Sequence, residues 1–101
     1  MKNVYTVKQV NSYIKNMFTQ DFMLNRIYVK GEVSNCKYHT SGHIYFSLKD
    51  ESGTIACVMF AGSRAGLSFR LQEGHQVIVL GSVSVYERDG KYQLYAKEIV
   101  Q

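Results

Sequence analysis

Apolar and polar residues alternate in three short segments, 28–36, 43–49 and 54–60, separated by polar or Gly-containing connections. Side chains along a strand point alternately to opposite faces, so each segment is predicted as a strand with one buried face. The first directs Ile27, Val29, Gly31 and Val33 inward, and Tyr28, Lys30, Glu32 and Ser34 outward. The second buries Ile44, Phe46 and Leu48 and presents His43, Tyr45, Ser47 and Lys49. The third buries Ile55, Cys57 and Met59, leaving Ala56, Val58 and Phe60 outside. Tyr28, Lys30, Tyr45, Lys49 and Phe60 are thereby expected on one face.

Before the strands, Thr6 and Gln9 have the spacing of a capping box, and Val7, Val10, Ile14, Met17 and Phe18 fall on one helical stripe. A helix over about 7–19 is predicted, packed on the domain by that stripe, with Lys8, Asn11, Ser12, Lys15 and Asn16 outward. Phe22, Met23 and Leu24 are expected to pack where the chain turns into the sheet. Residues 35–42 read as a polar, mobile loop, and 61–71 as a short helix or irregular turn. A long β-branched strand follows at 76–86, then an Asp-Gly hairpin and a last strand at 92–100. Gly31 weakens its strand unless a bend or close approach requires it, as when one strand feeds two halves of a sheet.

Three strands, a short crossover and two more strands form the layout of a five-stranded Greek-key OB-fold barrel, mainly β, spanning about 27–100 behind an amphipathic helix. An immunoglobulin-like sandwich asks for about seven strands. One domain over residues 1–101 is expected, since a chain of 101 residues has one modest core.

Twelve Lys and Arg against eight Asp and Glu give a net charge of +4, which favours a polyanionic partner. No apolar run approaches the roughly 20 residues of a membrane span, and no signal-peptide pattern opens the chain. A cytoplasmic location without membrane contact is expected, with Cys36 and Cys57 as free thiols. His39 and His43, with Cys36 nearby, do not make the four ligands of a structural zinc site. Asp50 and Glu51 diverge from one turn, and neither a phosphate-binding loop nor a nucleophile elbow is present. Neither catalytic residues nor a metal or other cofactor are expected in this domain.

The residues GEVSNCKYHTSGHIYFSLKDE at 31–51, CVMF at 57–60 and VSVYERDGKYQLY at 83–95 resemble the amino-terminal domain of the exodeoxyribonuclease VII large-subunit family. SGHIYFSLKD is the most specific piece. The resemblance implies an OB-fold that binds single-stranded DNA for a nuclease region absent from this chain. It also implies a small-subunit partner for the longer protein, whose hydrolase activity is not carried onto this domain.

Single-strand binding needs flat aromatic faces for bases and cations along the backbone. Tyr45 and Phe60 are the first platforms expected and Tyr28 the third, with His43 beside Tyr45. Lys30, Lys49 and Arg64 are the cations nearest that surface. OB-folds also use the loops between strands 1 and 2 and strands 4 and 5, which adds Lys37 and Tyr38, then Tyr86, Arg88, Lys91 and Tyr92. Two other readings stay open: a protein-contact surface built on the same aromatic patch, and an RNA-binding module.

Overall fold

The computed structural model describes residues 1–101. Helix α1 (Val7–Gln20) precedes strands β1 (Ile27–Tyr38), β2 (Ile44–Lys49), β3 (Thr54–Met59), β4 (Gln76–Tyr86) and β5 (Lys91–Val100), with a 3-10 helix (Ala61–Gly66) between β3 and β4. The strands close into a barrel in the order β1-β2-β3-β5-β4. All neighbours are antiparallel except β3 and β5, which run parallel. This is the five-stranded Greek-key OB barrel with its helical link in the expected place. No helix is long and apolar enough to cross a membrane.

The core lies inside the barrel and is built from the inward set of each strand, including Val33, Ile44, Phe46, Leu48, Met59, Val79, Leu94 and Ile99. Closure is possible because β1 is long and changes partner midway. Its first half pairs with β4 up to Glu32 opposite Gln76, and its second half starts on β2 with Glu32 opposite Lys49. Gly31 sits at that change, where an added Cβ would lie 3.2 Å from Leu48 Cβ and Lys49 O. The close approach explains the mid-strand glycine.

Three expectations are corrected by the packing. First, residues 35–38 of the expected 35–42 loop belong to β1. β1 continues to Tyr38 through a bulge between Ser34 and Lys37, where Asn35 takes a φ of 52°. Two residues then oppose one on β2, so the parity shifts and Tyr38 turns toward the core. Five residues, 39–43, remain between the strands, closed by His39 N–H to His43 O and Gly42 N–H to His39 O, both 2.9 Å.

Second, α1 docks the other way round. Its capping box forms as expected, with Thr6 N–H donating to Gln9 Oε1 and Gln9 N–H to Thr6 Oγ1. Yet three of the five nominally outward polar residues reach the barrel. Asn11 Nδ2 donates to Glu87 O at 3.0 Å, Ser12 Oγ bonds Glu87 Oε2 at 3.2 Å, and Lys15 Nζ lies 3.7 Å from Glu87 Oε1. Val7, Val10, Ile14 and Met17 are exposed, and only Phe18 of the stripe packs against the core. Third, Phe22 and Met23 are exposed, so Leu24 alone of the connector packs inward.

Candidate functional site

On the outer wall of the barrel the register sets β2, β3 and β5 side by side, with Tyr45 opposite Val58 and Val58 opposite Tyr95. Residues paired across a ladder share a face. Val58 is therefore flanked by two tyrosines, with Phe60 two residues further along the chain, just past the end of β3. Its predicted exposure is wrong: it is 1% exposed, though it lies outside the core cluster. The aromatic layer above it accounts for that burial.

Phe60 follows β3 directly and keeps an extended backbone (φ −68°, ψ 153°) before the 3-10 helix begins, so the outward parity persists to its ring. Tyr45 and Phe60 are each 44% exposed. Phe60 lies 5.7 Å from Tyr95 between ring centroids, with the rings inclined by 35°. His43 meets Phe60 edge-on at 5.1 Å, and both His43 (6.4 Å, 81°) and His39 (6.1 Å, 85°) stand nearly perpendicular to Tyr45. Five rings thus form one continuous surface of the aromatic kind on which bases stack.

The loop beside it is held by backbone and side-chain bonds. His43 Nδ1 accepts from Ala61 N–H at 2.9 Å, and His39 Nδ1 accepts from Ser41 N–H at 3.0 Å. Arg64 Nη1 donates to Gly42 O at 2.9 Å. The loop's geometry is therefore set before any ligand arrives.

Of the residues expected in the site, Tyr45, Phe60 and His43 come together, and Lys37 joins them as the β1 residue opposite Tyr45. Arg64 is close but engaged with Gly42 O, its guanidinium 5.4 Å from the Tyr38 ring centre. Tyr38 is on the inner side. Its hydroxyl accepts from Leu71 N–H at 2.7 Å and donates to Leu71 O at 3.1 Å, and Arg70 lies 4.4 Å from its ring centre.

Tyr28 and Lys30 do not share the patch. They sit on the half of β1 that pairs with Leu80 and Ile78 of β4, and Tyr28 is nine residues along from Lys37. That separation is roughly 30 Å of strand contour. Lys49 shares Tyr45's row but lies 3.5 Å from Glu32 in an ion pair. Tyr86, Arg88, Lys91 and Tyr92 cluster at the β4–β5 turn, where Tyr86 pairs with Lys91 and Tyr92 contacts Phe18 of α1 at 6.3 Å.

Sequence reasoning missed Tyr95. Its signal was available: with Leu94 and Ala96 inward on β5, residue 95 points out. What was missing was the parallel β3–β5 pairing that brings it beside Val58. No group of three or more His, Cys, Asp or Glu is arranged to hold a metal ion. Asp50 Oδ1 is engaged by Ser52 and Gly53 N–H in the β2–β3 turn. Both cysteines are free, Cys57 buried in the barrel and Cys36 half-buried.

Comparison with known proteins gives a consistent picture. Residues 5–100 match the model of the OB-fold nucleic acid binding domain family. The exodeoxyribonuclease 7 large subunit of Lachnoclostridium phytofermentans is 78% identical over 99 residues, which covers 98% of this chain and 25% of that protein. The chain spans about a quarter of the length of the curated relatives it matches. Asparaginyl-tRNA synthetase from Pyrococcus horikoshii, complexed with asparaginyl-adenylate, aligns at a TM-score of 0.62 and 17% identity over 99% of this chain and 22% of that one. A replication protein A heterotrimer bound to ssDNA aligns at 0.61 and 14%, over 75% of this chain and 56% of that one. At such identities these two structures speak for the barrel alone.

Proposed function

The chain belongs to the OB-fold nucleic acid binding domain family, and on that premise we propose that it binds single-stranded DNA across the outer wall of β2, β3 and β5. Tyr45, Phe60 and Tyr95 are the stacking platforms, His39 and His43 border them, and Lys37 tracks the backbone. Arg88 and Lys91 extend the path at the β4–β5 turn. The observation that carries this reading is the five-ring surface itself. It is half open to solvent and has a buried valine at its centre and a hydrogen-bonded loop at its edge.

In the longer bacterial protein, which we place in the cytoplasm, the domain hands the strand to a nuclease region outside these residues. It supplies no catalytic group and needs no cofactor of its own, and the small subunit is a partner of that longer protein. Fluorescence anisotropy with a labelled oligonucleotide tests the reading. Phe60→Ala is expected to weaken binding by about 1 to 3 kcal/mol. Unchanged affinity for both Phe60→Ala and Tyr45→Ala would remove the proposed face. An RNA oligonucleotide that competes as well as DNA would instead favour the RNA-binding reading.

A further inference from the structure

The two histidines bordering Tyr45 have more defined chemistry than their position alone implies. A ring nitrogen that accepts from a backbone N–H carries no proton, so the proton of a neutral imidazole is then on the other nitrogen. His43 Nδ1 accepts from Ala61 N–H and His39 Nδ1 from Ser41 N–H. Ser41 Oγ adds a second constraint. It accepts from His43 N–H at 3.3 Å and lies 2.8 Å from His39 Nδ1, to which it donates when that nitrogen is the acceptor of Ser41 N–H.

One serine therefore orients one ring and anchors the backbone of the other. A hydrogen on His43 Nδ1 would stand against Ala61 N–H and forfeit that bond. No protein group is hydrogen-bonded to either Nε2. A base laid on Tyr45 would present its edge to two rings standing almost at right angles to it.

We propose that His39 and His43 are held by their Nδ1 contacts as Nε2–H tautomers and act on the bound strand as hydrogen-bond donors to its oxygen acceptors. This rests on the single-strand reading above. The acceptors are either phosphodiester oxygens or base carbonyls, since both offer the same lone pairs.

The test uses the whole chain labelled with 15N in histidine, read by long-range proton–nitrogen correlation. Free protein should show both rings as Nε2–H tautomers. Adding a short oligothymidylate should shift both Nε2 signals along with the ring resonances of Tyr45 and Phe60. An abasic strand of the same length, added until the Lys37 amide shifts and so shows the strand to be bound, separates the acceptors: Nε2 shifts that persist assign phosphate oxygens, and Nε2 shifts that vanish assign base carbonyls. His43→Asn places an amide oxygen near the Nδ1 position and removes the outer donor, and should lower affinity about three- to tenfold.

A Nδ1–H tautomer in the free protein would overturn the inference. So would Nε2 signals that stay still while Tyr45 and Phe60 move, an outcome that leaves the single-strand reading standing. If the aromatic resonances stay still as well, both fall together.

Discussion

Cys57 and Val58 are adjacent and both buried, for opposite reasons. Cys57 points into the barrel, where burial pushes its thiol up to about 12, above the ordinary value of 9.0. Folding thus favours the protonated thiol. That contribution is complete below pH 9 and is lost as pH rises from about 9 toward 12, at up to about 1.4 kcal/mol per pH unit. Denaturant midpoints measured across that range should fall more steeply for the parent than for Cys57→Ala. Cys36, also raised but only half-buried, should react first with a thiol reagent, and Cys57 only on unfolding. Val58 points out and is covered by its aromatic neighbours. Val58→Ala should cost about 1 to 3 kcal/mol of stability and loosen the face above it, measurable as weaker oligonucleotide binding. Alternation read this residue's direction correctly. It did not read its burial, because part of the cover is Tyr95 on β5, a partner remote in sequence.

Among the elements, α1 shows most plainly where pattern ends and packing begins. Its span and capping box follow from residues 6 to 18 alone, but a stripe does not say which way a helix docks. Glu87, at the far end of the chain, decides that by gathering Asn11, Ser12 and Lys15. A pair of hydrogen bonds and one exposed ion pair make a modest attachment. Asn11→Ala with Ser12→Ala should therefore raise amide exchange in α1 well above that of the strands while the barrel stays folded. The β4–β5 ladder is less forgiving. Gly81 lies at its register shift, where a Cβ would collide with Tyr95 O and Tyr95 C. Gly81→Ala should lower stability by about 2 kcal/mol or more, seen in thermal unfolding, and disturb the Tyr95 platform. The bulge in β1 was legible only as an Asn at position 35. Local sequence does not show that one extra residue there turns Tyr38 inward.

At the scale of the whole molecule, the barrel gathers residues from β2, β3 and β5 onto one wall and sends others elsewhere. β1 wraps around the barrel, so Tyr28 and Lys30 leave the face on which strict alternation had placed them. The excess of positive charge belongs to the chain as a whole, with Lys49 held by Glu32 and Lys15 by Glu87. Oligonucleotide affinity should therefore fall with salt by only about 0.7 log unit per log unit for each phosphate engaged. With two or three free cations near the path, the predicted slope is about −1.5 to −2. The central claim is that the ring surface is the seat of the strand. It is tested most directly by mapping backbone and aromatic chemical shifts while a short single-stranded oligonucleotide is titrated in. The largest changes are expected at His43, Tyr45, Phe60 and Tyr95, with smaller ones at the β4–β5 turn. Changes confined to α1 or to the β1–β4 wall, or none at saturating oligonucleotide, would contradict it.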